Sequence, residues 1–275
     1  MKVIKNLIWM SILHIKHLEE LFLQYIRYLN VDLANSLINK TKYSKNINFL
    51  VPFRDIFLAF YNPEYAKSDK IVQDLDFLRK AIAKYCETLD TLNIKQINIK
   101  NKQELIECIK QNDNLRQMCC ELYNSNIKFS QACESQLINQ NDFKDLISNA
   151  QRSVSSIKHS FAQPLLEFNN ALSHLTIFIY NGDKDDKLQN VKKAQNHIYR
   201  ATLDNYKMIL RFTIPNLQDN KENILKSFHS MREQEFLLLG ESFIDKRIDY
   251  LCPIEKNTRK LPIVTAYKEL VKIIF

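Results

Sequence analysis

Gly182 and Gly240 are the only two glycines in this 275-residue chain, and they stand 58 positions apart. Glycine lets a backbone turn with positive φ or approach a phosphate closely. A phosphate-cradling Gly-rich loop, a dinucleotide fingerprint and a nucleophile elbow each need two or more glycines within a few residues. None of these can be built here. No nucleotide cofactor site of the Gly-rich type is therefore expected, and no other cofactor is called for by the residues.

The remaining sequence reads as helix nearly throughout, with apolar residues at i, i+3 and i+4 in long segments separated by Pro, Asn and Asp clusters. Helices are expected at about 4–28, 33–39, 65–92, 103–111 and 115–135, and then from Asn141 onward. One minor strand fits Ile94 to Lys100. Pro52 and Pro63 bracket a short apolar piece with Phe57, Phe60 and Tyr61. Pro164 has no amide hydrogen, so the long segment from Asn141 to Tyr180 should kink or restart there. Beyond it Leu165, Phe168, Leu172, Leu175 and Ile179 form one seam. The segment 181–186 reads as a tight polar connection, and Leu188, Val191, Ala194, Ile198 and Ala201 supply the returning stripe. These segments form an antiparallel helical hairpin. A further helix is expected at about 217–249 and a last one at 264–274. The fold class is all-α, a bundle of long antiparallel helices, with an N-terminal subdomain over 1–135 and a C-terminal bundle over 136–275, or one domain.

With 45% hydrophobic and 25% charged residues the chain can bury a substantial core. Cys86, Cys108, Cys119, Cys120, Cys133 and Cys252 show no two-residue gap of the kind zinc and redox motifs need, so they read as reduced core residues. Lys2 and Lys5 precede an apolar run that His14, Lys16, His17, Glu19 and Glu20 cut short. The run is far below the ~20 residues that span a bilayer, so membrane insertion is not expected and a cytoplasmic protein is. The net charge of +8 suggests an acidic partner such as nucleic acid, or serves solubility.

Chemistry concentrates on the hairpin. His197, Arg200 and Asp204 are spaced three and four apart and share one face of the second helix, while His174 lies on the first. Counting out from the turn places His197 opposite Asn170 and Ala171, about one turn from His174. Such a cluster can bind an anion or a phosphodiester, with a histidine as general acid or base. It can equally be a structural network in which Asp204 pairs with Arg200 and orients His197. No metal site is expected. His14, His17 and Glu20 share a face but lack a fourth ligand, and no histidine has Glu three residues before it.

The stretches Phe168-Asn-Asn-Ala-Leu-Ser-His174 and His197-Ile-Tyr-Arg-Ala-Thr-Leu-Asp204 resemble the long-helix core of HEPN-like bundles, a family of toxins, CRISPR-associated nucleases and antiviral defence proteins. Ribonuclease members carry an Arg followed by four to six residues and a His, and Arg152-Ser-Val-Ser-Ser-Ile-Lys-His159 fits that pattern. The resemblance, over the C-terminal half, implies Arg152 and His159 as a catalytic pair, with a homodimer assembling a metal-independent RNA-cleaving site. Two functions follow as expectations. The first is a helical interaction module, a subunit of a bacterial defence or regulatory assembly that binds a protein partner or RNA. The second is a HEPN-like ribonuclease. A secreted effector would share the same composition.

Overall fold

A computed structural model of the protein describes residues 12–38, 47–61, 70–87, 102–139, 147–149, 157–180, 183–240 and 263–275. They form an all-α bundle. In chain order the helices are α1 (Ile12–Ile38), α2 (Ile47–Ala59), α3 (Lys70–Cys86), α4 (Lys102–Gln111), α5 (Asp113–Glu134), α6 (Ala162–Tyr180), α7 (Lys184–Thr213), α8 (Lys221–Gly240) and α9 (Ile263–Ile274). A short 3-10 turn, Ile214–Asn216, follows α7. The strand expected at 94–100 and the cysteine at 252 lie outside the described residues. Among the described residues no helix is long and apolar enough to cross a membrane.

The centre of the bundle is α7. It makes its most extensive contact with α6 and packs further against α5 and α9. Asp183 caps its start, accepting from the Asp185 amide at 2.8 Å, and Asp185 and Asp186 sit in the first turn where the helix dipole favours negative charge. Lys184 to Asp186 are thus helical rather than part of the connection. The α6 seam is as the periodicity predicts: Leu165, Phe168, Leu172, Leu175 and Ile179 are all buried. The α7 stripe differs at its first member. Leu188 is 50% exposed, and Lys187 is turned inward in its place. The Lys187 ammonium lies over the Phe178 ring, 5.6 Å from its centroid, and reaches Glu104 on α4 at 2.5 Å, so a long side chain with a polar end closes the bundle there.

Three further departures from the sequence reading have tertiary causes. First, α1 runs unbroken through the predicted interruption at 28–33, because Val31 is buried and Asp32 accepts from the Tyr85 hydroxyl of α3 at 2.9 Å. Second, α2 contains Pro52 within its length. The carbonyl this leaves without its i+4 donor is that of Asn48, an exposed residue, and water can satisfy it. Third, where the sequence reading runs a helix from Asn141, residues 147–149 and 159–161 are strand. Strand β1 (Ile147–Asn149) pairs antiparallel with β2 (His159–Phe161), Ser148 opposite Ser160, and α6 starts only at Ala162, with Pro164 in its first turn. Part of what holds β2 comes from α5, where Ser130 Oγ accepts from the amides of Lys158 at 3.0 Å and His159 at 3.2 Å.

One hydrophobic cluster draws residues from both sides of position 136, with Phe53, Phe57 and Phe129 meeting Phe161, Phe168 and Ile198. Within it lies a buried polar network. Arg54 of α2, 1% exposed, donates through Nε to Asp55 Oδ1 at 2.8 Å and through Nη1 to Ser160 Oγ at 2.8 Å and Asn126 Oδ1 at 3.3 Å. Its Nη2 lies 2.7 Å from the same Asp55 oxygen. Asn205 of α7 joins from the other side, donating to Ser125 Oγ and Asn126 Oδ1 at 2.9 and 3.0 Å. Three helices and one strand are thereby tied through a guanidinium.

Candidate functional site

From Lys193 to Arg211 the central helix is buried on almost every side, and the residues that reach the surface are Lys193, His197, Arg200, Asp204, Lys207 and Arg211. Their spacing alternates four and three, so they form one straight stripe along the helix. On α6 the half-buried or exposed positions include Gln163, Glu167, Asn170, His174 and Ile177, which repeat the same alternation. The apolar seam that joins the two helices thus leaves a polar stripe on each, and the side chains meet across the boundary between them.

The closest meeting is between two histidines. The rings of His174 and His197 stack with centroids 5.3 Å apart and planes 17° from parallel. Glu167 and His174 flank Asn170 and Ala171 by one turn on either side, so His197 reaches both from the position that the antiparallel count gives it. Each ring has one nitrogen already committed. His197 Nδ1–H donates to Glu167 Oε2 at 2.6 Å. His174 Nδ1–H donates to Asn190 Oδ1 at 3.1 Å, and the Asn190 Nδ2 donates in turn to the Asp186 carbonyl at 2.8 Å, which fixes the amide and hence the tautomer. Neither Nε2 has a hydrogen-bond partner among the described residues. In its neutral form each ring therefore offers a lone pair at Nε2, and only when protonated a second N–H.

The charges around the pair are asymmetric. Burial lowers the basicity of His174 below that of an ordinary imidazole, the Asn190 contact opposes this, and His197 and Lys193 add to it. Burial would push Glu167 up, but the hydrogen bond and charge of His197, with Arg200 beside it, outweigh that and hold its carboxyl below the usual range. Two positive charges at the ring separation repel by roughly 3 kcal/mol at an effective dielectric of about 20, so charge on one ring opposes charge on the other.

The orienting residue is Glu167, which corrects the expectation that Asp204 performs this role through Arg200. No hydrogen bond or ion pair joins Asp204 to Arg200 among the described residues; Arg200 is exposed and acts on Glu167 and Asp204 through its charge. The physical reason is register. Asp204 sits two turns from His197 on the same helix, whereas Glu167 faces it across the seam. Asn170 is exposed in the same α6 stripe. Glu167 stands seven residues before His174, two turns back on one face, and that spacing is the signal that could have found it. Asn190, seven before His197, has the same signature.

Asp204 has chemistry of its own. Burial raises its carboxyl to about 6; Lys207 opposes this, Glu167 and Glu235 add to it, and Arg200 opposes it. For an acid whose folded value is raised, the fold favours the protonated form. The associated stability is present below the unfolded value and is lost as pH rises through about 6. Asp204→Asn is accordingly expected to stabilise the protein at pH ~8 by roughly 1–3 kcal/mol, with the gain vanishing near pH ~4. Thermal unfolding of both proteins at the two pH values checks this, and a gain of equal size at both would remove Asp204 ionisation as its source.

Of the other predicted residues, Arg152 lies outside the described residues. His159 is half-buried on β2 and anchored to α5, and burial is the largest influence on its ring, lowering its basicity. At the N-terminal cluster the His14 side chain lies outside the described residues. Glu20 already accepts from Gln24 at 2.8 Å and Arg79 at 3.2 Å. Among the described residues no group of three or more His, Cys, Asp or Glu side chains gathers in a way that could hold a metal ion. The vicinal Cys119 and Cys120 sit on α5, the first buried and the second donating to the Tyr61 carbonyl at 3.6 Å; burial pushes both thiols up. Comparison of the chain with protein-family models, with curated proteins and with solved structures finds no match.

Proposed function

We propose that the protein is a helical interaction module whose partner is RNA, engaged along the α6–α7 face. The observation that carries this reading is the open stripe of α7. Five of its six members, Lys193, His197, Arg200, Lys207 and Arg211, are basic or can become so, and they run for about 27 Å along one line. A stripe of that length and sign suits successive phosphates of a single strand, where charge supplies most of the affinity. A role as a subunit of a larger defence or regulatory assembly is compatible with such a face.

The test is binding of a labelled single-stranded RNA to the intact protein and to the Lys193→Glu/Arg200→Glu variant. The expected outcome is a loss of affinity of at least tenfold in the variant, together with a steep fall in wild-type affinity as salt rises. RNA affinity that ignores both the variant and the salt would place the interface elsewhere.

A second reading, RNA scission without a metal, is favoured by the paired imidazoles. One ring can take the 2′-hydroxyl proton while the other protonates the departing 5′ oxygen. Cleavage in EDTA that is lost in His174→Gln and His197→Gln would assign the reaction to this face. Cleavage lost instead in Arg152→Ala and His159→Ala would assign it to the pair that the HEPN-like resemblance implies.

A further inference from the structure

We infer that the paired histidines make anion binding at this face proton-coupled, so that an RNA phosphate is held at His174 and His197 only as the site takes up a proton. The inference rests on the RNA-binding reading and specifies how that site is regulated.

The argument is one of donor accounting. A phosphate oxygen can only accept hydrogen bonds, so a ring must present an N–H to hold it. In both rings the Nδ1–H is already donated, to Glu167 at 2.6 Å and to Asn190 at 3.1 Å. The remaining nitrogen of a neutral ring is a lone pair, which repels the oxygen. Each Nε2 contact to phosphate therefore requires that ring to be an imidazolium. The stacked rings, 5.3 Å apart, oppose simultaneous charging, and the burial of His174 disfavours its charge further. A phosphate placed against both Nε2 atoms removes that opposition, because its negative charge lies against both rings. Binding and protonation are then linked, each strengthening the other.

The neighbouring charges set which groups can contribute. His174 feels His197 and Lys193 of α7; Glu167 of α6 feels His197 and Arg200; Asp204 connects the stripe to Lys207 and to Glu235 of α8. The exposed cations Lys193 and Arg200 add a background attraction that does not depend on the two rings. Asp204 titrates near the imidazole range and must be separated from the rings by substitution.

The experiment is a fluorescence titration of the full chain with a labelled 2′-O-methyl oligouridine of about twelve nucleotides. This probe has the phosphates of RNA but no 2′-hydroxyl, so it cannot be cleaved by internal attack. For wild type the association constant is expected to fall as pH rises through the imidazole range, by up to tenfold per pH unit for each proton taken up on binding. His174→Gln and His197→Gln are each expected to flatten this dependence while the background attraction remains. Asp204→Asn and His229→Gln, the latter on exposed surface of α8, are expected to keep it. An affinity that is flat with pH in wild type, or a slope that disappears in Asp204→Asn and survives in both ring variants, overturns the inference and leaves the RNA-binding reading in place. Absence of binding at every pH overturns both.

Discussion

Arg54→Ala is expected to destabilise the protein by about 3–5 kcal/mol, the range for removing one member of a buried ion pair and leaving the other charge behind. In a chain of this length that corresponds to a fall in Tm on the order of 10 °C. The cost arises in three places at once. Asp55, itself buried, loses its guanidinium; Ser160 loses the donor at 2.8 Å that fastens β2; and Asn126 loses one of the contacts linking α2 to α5 and, through Asn205, to α7. Lysine does not restore this arrangement, since a single ammonium cannot span three acceptors held in a fixed fork. The double variant Arg54→Ala/Asp55→Ala separates charge from packing. If the loss of the guanidinium beside the Asp55 carboxylate dominates, the double variant recovers stability relative to Arg54→Ala; if it is as unstable as the sum of the two singles, the ion pair is not the source of the effect. Urea unfolding of the four proteins decides between these.

That network also shows why some of the fold was legible in the sequence and some was not. The hairpin was legible because its information is local. An Asn-Gly-Asp connection, an apolar seam on each side and 1.5 Å per residue fix which turn of α7 faces which turn of α6, and His197 lands between Glu167 and His174. Helices α4, α5 and α9 begin and end within about two residues of their predicted limits, where capping and apolar periodicity agree. The segment before α6 was not legible. The helical pattern of 141–163 is real, but β2 is held by Ser130 and Arg54, which are 29 and 106 residues away from the groups they bind. Propensity gives way when partners of that kind are available. Arg54 and Asp55 did carry a signal, a charged pair inside the apolar run Leu50 to Tyr61, where a charge cannot remain without a buried partner. Glu167 was missed for a different reason. The three- and four-residue spacing on α7 points to a partner on the same helix, whereas the residue that orients His197 comes from the facing helix.

The same logic of facing partners makes Glu235 the residue that secures the last helix. Its side chain, 5% exposed, accepts from Lys207 of α7 at Oε1, and from Arg232 at 2.7 Å and the Tyr267 hydroxyl at 2.8 Å at Oε2. Tyr267 is the most deeply buried residue of α9, and Phe228 of α8 meets its ring edge-on. A second tether, Lys268 to Glu121 at 2.8 Å, joins α9 to α5, where Glu121 also accepts from Tyr206 at 2.7 Å. Glu235→Ala removes the acceptor shared by three donors and leaves Lys207 half-buried beside Asp204 without its carboxylate. A loss of about 3 kcal/mol is expected. Glu235→Gln keeps an oxygen for Tyr267 but no charge for Lys207, so it should fall between the two, at roughly half that cost. Because α9 is held by this junction, its own apolar contacts and one further ion pair, the loss should appear first as local opening. Amide hydrogen exchange over residues 263–274 is expected to accelerate in Glu235→Ala while α6 and the central part of α7 keep their protection. Acceleration spread evenly over all helices would show that Glu235 acts on the whole bundle and that α9 has no separate anchor. Confinement to α9 would make this junction the seam along which the bundle first comes apart, with Lys207 and Asp204, in the C-terminal half of the polar stripe, the first of its residues to feel the change.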